Sequence, residues 1–147
     1  MTLLAYVLGA VLTMIAALHV YWGLGGVWPG TDPRSCARAV AGFKGIEAMP
    51  SPFACFAVAA VIVATALVVV LALGSVFATP FDRLSLAGAA LFVALAFLFR
   101  GVLGFTPLWR RLTPEMPFAK YDLGYYSPLC LVLGIGIAVL ALEGFAG

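Results

Sequence analysis

Long apolar runs alternate with shorter polar segments along the chain, and this pattern predicts four helices that span a membrane. The runs place the spans at about residues 3–26, 52–73, 84–106 and 127–143. A spanning helix needs about 20 apolar residues; the first three runs approach or exceed that length, and the fourth lies at the lower limit. We therefore expect an all-α fold, an integral membrane four-helix bundle that residues 1–147 form as one domain.

The two longer polar segments, between spans one and two and between spans three and four, carry most of the positive charge. The segment between spans two and three has one basic residue, Arg83. Because basic loops remain on the cytoplasmic side of a membrane, we expect both longer loops to face the cytoplasm and both termini to face outward. The basic residues of the longer loops are Arg34, Arg38, Lys44, Arg110, Arg111 and Lys120.

The composition excludes several classes of protein and of site. Hydrophobic residues make up 65% of the chain and charged residues 10%, whereas soluble domains have about 25% charged residues. The net charge of +2 is too small to indicate a nucleic-acid partner, so the lipid bilayer is the partner that composition supports. One histidine and three cysteines without CxxC spacing do not supply a metal site, and we expect no cofactor.

A polar segment, YDLGYYSPLC at residues 121–130, directly precedes the last apolar run. Proline fits best at the first position of a helix, so Ser127 and Pro128 predict an N-cap and a helix start at the membrane boundary. Ser51 and Pro52 have the same order before span two. Near the second of these Ser-Pro steps, at residues 127–128, the sequence has one acid and three tyrosines: Tyr121, Asp122, Tyr125 and Tyr126.

Two of the other spans carry polar residues near the same end of the bundle. In span one, His19 and Trp22 share one helix face with two glycines; these residues form either a site or an interfacial aromatic belt with a histidine bonded to a neighbour. In span three, Arg100 lies about 7.5 Å inside the end of the helix. It either extends to the membrane surface or pairs with Asp122 or Glu47.

The two segments that enter spans two and four from this end are similar. Residues 43–55 read FKGIEAMPSPFAC and residues 118–130 read FAKYDLGYYSPLC, which share Phe, Lys, an acid, Ser-Pro and Cys in that order. A duplication would make the bundle two related helical hairpins. Convergence of interfacial loops on such residues explains the similarity equally well.

The polar residues therefore concentrate at the end predicted to be cytoplasmic, which indicates a polar pocket there. His19, Asp122 and Glu47 are the candidates for acid–base catalysis, because burial and neighbours tune such groups toward neutral pH. If Arg100 pairs with one acid, Arg100→Leu should destabilise the bundle more than Arg100→Leu combined with Asp122→Asn. The candidate ligand-binding residues are Trp22, Arg100, Tyr121, Tyr125, Tyr126 and Ser127.

Three segments, HVYW at 19–22, FLFRG at 97–101 and the segment at 118–130, resemble a bacterial family of small four-helix membrane proteins of unknown function. The resemblance covers nearly the whole chain and is most specific at Tyr-Tyr-Ser-Pro-Leu-Cys. It implies a bacterial inner (cytoplasmic) membrane location. This chain has Gly104 where members of that family often carry an acid. The signature positions that the resemblance implies are His19, Trp22, Arg100, Asp122, Tyr126, Ser127 and Pro128.

Two functions fit this pattern. The favoured one is binding of a lipid-like or isoprenoid small molecule in the pocket, with its polar end at His19, Arg100 and Asp122; whether the protein also transforms it stays open. The alternative is a non-catalytic accessory subunit of a larger membrane complex, in which the small residues of span one contact another protein. The sequence also leaves a homo-oligomer open.

Overall fold

The computed structural model describes residues 1–73 and 81–146. Four of its helices are long and apolar enough to cross a membrane: Thr2–Gly23, Pro52–Val70, Arg83–Leu103 and Phe118–Ala146. This part of the chain contains no strands, so the predicted all-α membrane bundle is confirmed. The connection between predicted spans two and three, residues 74–83, lies mainly outside the described residues.

Seven α-helices and two π-helical segments make up the described chain. The long helices are α1 (Thr2–Gly23), α3 (Pro52–Leu67, continued by the π-helical segment Val68–Leu73), α4 (Arg83–Leu103) and α7 (Ser127–Ala146). The short helices lie between them: α2 (Pro33–Val40), α5 (Pro107–Leu112) and α6 (Phe118–Tyr121). A second π-helical segment, Asp122–Tyr126, joins α6 to α7.

Span two begins as the sequence predicts. The hydroxyl of Ser51 accepts a hydrogen bond from the backbone N–H of Ala54 at 3.2 Å, and Pro52 occupies the first helical turn. This contact satisfies one of the N–H groups that a helix start leaves without a partner.

Span four does not begin at Ser127, so this predicted N-cap is wrong. The helix starts at Phe118 and runs on to Ala146, which places Ser127 inside it and fully buried. Pro128 has no N–H to donate, and in a regular α-helix its ring clashes with the carbonyl four residues before. The wider π-helical turn, in which the N–H of Ser127 bonds to the carbonyl of Asp122, precedes the proline and lets the helix continue.

The spans pack as two pairs, α1 with α3 and α4 with α7. The pairs meet where the π-helical end of span two contacts α4 and α7 and where α1 contacts α7. Glycines allow close approach: a Cβ on Gly23 would lie 2.8 Å from the ring of Phe56, and one on Gly134 would lie 3.0 Å from the carbonyl of Ala94. The pairing agrees with two helical hairpins, and their duplication stays a hypothesis. The largest fully buried side chains of the bundle core are Leu12, Val69, Leu133, Ile137 and Leu140.

Large apolar side chains cover the outer surface of the spans. Leu3, Phe53 and Phe92 are each at least three-quarters exposed. A surface of this kind is typical of a protein that contacts lipid, because soluble proteins rarely expose large continuous apolar areas.

The two longer loops, residues 24–51 and 104–117, join each other over one end of the bundle, and we call them the roof. Their backbones are linked where the N–H of Lys44 donates to the carbonyl of Leu112 at 3.0 Å and the N–H of Glu115 donates to Gly42 at 3.2 Å. The roof and the helix ends beneath it form what we call the polar end.

A carboxylate strengthens this link. Glu115 accepts a hydrogen bond from the N–H of Gly45 at 3.0 Å and pairs with Arg38 at 2.8 Å. The Gly45 N–H, with a further contribution from the charge of Arg38, holds the pKa of Glu115 below its ordinary value. We call this contact the Glu115 clasp.

Candidate functional site

Asp122 is the centre of a buried network at the polar end. Its side chain has no exposed surface and accepts four hydrogen bonds. One oxygen, Oδ1, accepts from Arg100 Nη2 at 2.6 Å and from the Ser127 hydroxyl at 3.0 Å. The other, Oδ2, accepts from Trp109 Nε1 at 2.9 Å and from Arg110 Nη2. Four donors fill the lone-pair positions of a carboxylate, so Asp122 has none left for a ligand.

Arg100 belongs to this network and is partly exposed. Besides its bond to Asp122, it donates from Nη1 to the Ser127 hydroxyl at 3.3 Å, and its guanidinium carbon lies 4.7 Å from the centre of the Trp109 ring. The predicted pairing of Arg100 with Asp122 is thus confirmed. The guanidinium has five N–H groups, of which these bonds use two, and its side chain is 31% exposed.

Arg110 also turns inward. Its Nη2 contacts Asp122, its Nη1 donates to the carbonyl of Ala119 at 2.9 Å, and its Nε is buried without a hydrogen-bond partner among the described residues. Two arginines therefore share one carboxylate. With one negative and two positive charges, the network has a net charge of +1.

Glu47 does not belong to this network, so the alternative prediction that it pairs with Arg100 is wrong. It pairs instead with Arg34 at 2.8 Å, and both side chains are more than half exposed. The reason is the unpredicted short helix α2, which begins at Pro33 and holds Arg34 beside Glu47 on the outer side of the roof.

A cavity of about 420 Å³ lies beneath the roof, between all four spans, and we call it the main cavity. Most of its wall is apolar, for example Ile15, Phe97 and Leu133. Asp122 is not part of the wall. The polar or ionisable side chains that line the cavity are His19, Trp22, Arg100, Tyr126 and Cys130.

His19 lines the main cavity and forms a hydrogen bond within α1. Its Nδ1 lies 2.8 Å from the carbonyl of Ile15. A carbonyl only accepts hydrogen bonds, so Nδ1 carries the proton, and Nε2 of the neutral ring is an acceptor. Nε2 has no hydrogen-bond partner in the described part of the chain. The ring also packs edge-on against Trp22, with 5.1 Å between ring centres.

The tyrosines of the predicted site divide between two cavities. A second cavity, of about 340 Å³, is walled by aromatic rings, and we call it the aromatic cavity. Tyr121 and Tyr125 line only this one, whereas Tyr126 and Trp22 line both. Hydrogen bonds fix two of these rings, because Trp22 Nε1 donates to the carbonyl of Trp28 at 2.7 Å and the Tyr126 hydroxyl donates to Ala39 at 3.2 Å.

Sequence reasoning missed Trp109 and Arg110. Both lie on α5, a helix of six residues that begins where the hydroxyl of Thr106 accepts from the N–H of Trp109. The available signal was the order Thr-Pro before Trp-Arg-Arg, which predicts a capped helix start but not the direction of its side chains. Among the described residues, no group of three or more His, Cys, Asp or Glu side chains is placed to bind a metal.

Comparison with known proteins identifies a family and nothing finer. The model of the family described as "Protein of unknown function (DUF3995)" matches residues 12–137, which is most of the chain. No curated protein and no solved structure matches the chain.

Proposed function

The chain belongs to the DUF3995 family of proteins of unknown function, and from the geometry of its polar end we propose that it binds a lipid-like amphiphile in the main cavity. The polar head of this molecule accepts hydrogen bonds from Arg100, and its apolar tail lies along the walls between the spans. His19 adds an acceptor for a head group that carries a hydroxyl.

The observation that carries the proposal is the position of Arg100. Its guanidinium donates hydrogen bonds to Asp122 and Ser127, while the side chain lines an otherwise largely apolar cavity. A charge beside apolar walls is costly unless it is paired and hydrogen-bonded. A ligand head group satisfies the remaining donors of Arg100 without disturbing the network.

The size and lining of the main cavity also support an amphiphile. Its volume of about 420 Å³ falls in the range of about 300–1,000 Å³ that is typical of small-molecule sites. Such sites combine predominantly apolar walls with a few polar groups that orient the ligand, as His19 and Arg100 do here.

We test the proposal by extracting the full chain in a mild uncharged detergent and identifying co-purifying molecules by mass spectrometry. We expect an amphiphile with the wild type and at least tenfold less of it with Arg100→Met. This variant leaves Asp122 paired with Arg110, so the network becomes neutral and Asp122 keeps a counter-charge. The matched control is Arg34→Met, which removes an exposed arginine and should leave the bound molecule unchanged.

Equal amounts of the amphiphile with Arg100→Met and wild type would contradict the proposal, as would the absence of any such molecule above the detergent background. Stoichiometric recovery of a larger membrane complex in place of a lipid would instead favour an accessory subunit.

We further propose that the polar end faces the cytoplasm of a bacterial inner membrane. The support is the basic surface of the roof, where Arg34, Lys44 and Arg111 are exposed. A cysteine at Lys44→Cys should react with a membrane-impermeant maleimide only after intact cells are permeabilised. Cys36 is fully buried and therefore serves as an internal control that stays unlabelled. Labelling of Lys44→Cys from outside would reverse the orientation.

A further inference from the structure

The charges around Asp122 do not balance. Arg100 and Arg110 both contact this carboxylate, so the network has one positive charge in excess. Burial makes the excess important, because charges inside a protein are normally paired. The excess lies toward the main cavity, since Arg100 is the member of the network that lines it.

No other carboxylate side chain among the described residues is placed to neutralise it. Glu47 pairs with Arg34 and Glu115 with Arg38, both in the roof. Asp32 caps α2 on the surface, and Asp82 caps α4 at the opposite end of the bundle, the end where Glu143 also lies. With Asp122 these are all six acids of the sequence.

Arg100 also keeps the donors that an anion would need. Three of its five N–H groups remain after the bonds to Asp122 and Ser127. The planar guanidinium matches the spacing of two oxygens on a carboxylate or a phosphate, and such charge-assisted bonds are about twice as strong as neutral ones.

We propose that the head group bound in the main cavity is anionic, as in an amphiphilic carboxylate or phosphate. This inference rests on the proposed function and adds the chemical class of the ligand. The anion bonds to Arg100 and offsets the excess positive charge of the site, while its tail lies along the apolar wall. A soluble anion offers the same head but no tail.

The test is a competition series with the full chain in nanodiscs of zwitterionic lipid. Labelled laurate is the probe, and the competitors share its twelve-carbon chain: dodecyl phosphate, dodecanol and dodecyltrimethylammonium. Acetate and inorganic phosphate represent the soluble anions. We expect laurate to bind and dodecyl phosphate to displace it at least tenfold better than dodecanol, with the ammonium compound and the two soluble anions weaker still.

Each other outcome overturns one part of the inference. If dodecanol competes as well as dodecyl phosphate, the anionic head group is wrong and the amphiphile site stands. If acetate or phosphate competes as well as dodecyl phosphate, the ligand is a soluble anion. If neither labelled laurate nor labelled dodecanol binds, the proposed function itself falls.

Variants locate the effect. Arg100→Met should bind dodecanol as the wild type does but lose the preference for dodecyl phosphate, and Arg34→Met should keep that preference. An unchanged preference in Arg100→Met would show that another cation selects the anion. Should Arg100→Met fail to fold, the wild-type series alone decides between an anionic and a neutral head.

Discussion

Two Ser-Pro steps at the polar end have the same sequence and different structures. Ser51 lies on the surface and caps α3, where the chain arrives from the roof and turns into the membrane. Ser127 lies inside a continuous helix, has no exposed surface, and bonds to Asp122 and Arg100. The serine is a cap in one case and part of a buried network in the other.

The two steps also differ in the hydrogen-bond and ion-pair partners of the acid that precedes each serine. Glu47, four residues before Ser51, finds only the exposed Arg34. Asp122, five residues before Ser127, finds donors from α4 and α5 that surround it on all sides. The chain is already helical from Phe118 before the second step, whereas it is a loop of the roof before the first step. Parallel substitutions at the two Ser-Pro steps test this difference.

The largest difference is expected from the two acids. Asp122→Asn leaves two partly buried arginines without a counter-charge, and breaking a buried ion pair costs about 3–5 kcal/mol. Glu47→Gln removes an exposed pair and should cost less than about 1 kcal/mol. Unfolding of both variants in dodecyl maltoside, followed by circular dichroism, checks this. Similar losses of stability would mean that the burial of Asp122 does not distinguish the steps.

A second prediction concerns the stabilities of Arg100→Leu and of Arg100→Leu combined with Asp122→Asn. The structure reverses the order of stability that the sequence predicts for these two variants. Because Arg110 still neutralises Asp122, Arg100→Leu should cost only about 1–3 kcal/mol, mainly for hydrogen bonds lost by a buried acceptor. Arg100→Leu with Asp122→Asn leaves Arg110 alone and should be less stable than the single variant. The same melting series decides, and a double variant more stable than Arg100→Leu would show that Arg110 does not pair with Asp122.

A smaller contrast is expected from the serines themselves. Ser127→Ala removes one of the donors to Asp122 in a fully buried place and should cost about 1–3 kcal/mol. Ser51→Ala removes a cap and should cost about 1 kcal/mol. Substitution by aspartate should separate the two positions further. Ser51→Asp should be tolerated because aspartate is a good N-cap, whereas Ser127→Asp should destabilise the fold because it adds a second negative charge beside Asp122. Equal tolerance of aspartate at both positions would be inconsistent with the two structures.

The smallest effect concerns the roof that leads to the first step. Since the pKa of Glu115 is lowered in the folded protein, the clasp stabilises the fold above the ordinary glutamate value of 4.5. This contribution is lost as the pH falls through the lower folded value. The stability difference between wild type and Glu115→Gln should therefore be full at about pH 7 and shrink as the pH falls below the ordinary glutamate value. A difference that grows toward low pH would have the wrong sign.

The spans and the pairing of Arg100 with Asp122 were predictable because they follow from local patterns. Long apolar runs identify helices, and a charge inside such a run needs a partner. The inward turn of Arg110 was not, because a positive charge in a polar loop looks the same whether it faces water or protein. The start of span four was also missed, since Ser-Pro indicates a helix start unless an upstream π-helical turn accommodates the proline.

The space around Gly104 limits which side chains positions 104 and 127 can carry together. A Cβ at this position would overlap the Ser127 hydroxyl and lie 3.2 Å from Arg100 Nη1. Positions 104 and 127 therefore share one space and are not free to diverge independently. A relative that acquired an acid at position 104 would have to lose the hydroxyl at 127 or separate the two helices. That acid would also neutralise the excess charge, so our proposal predicts that such a relative would bind an uncharged head group.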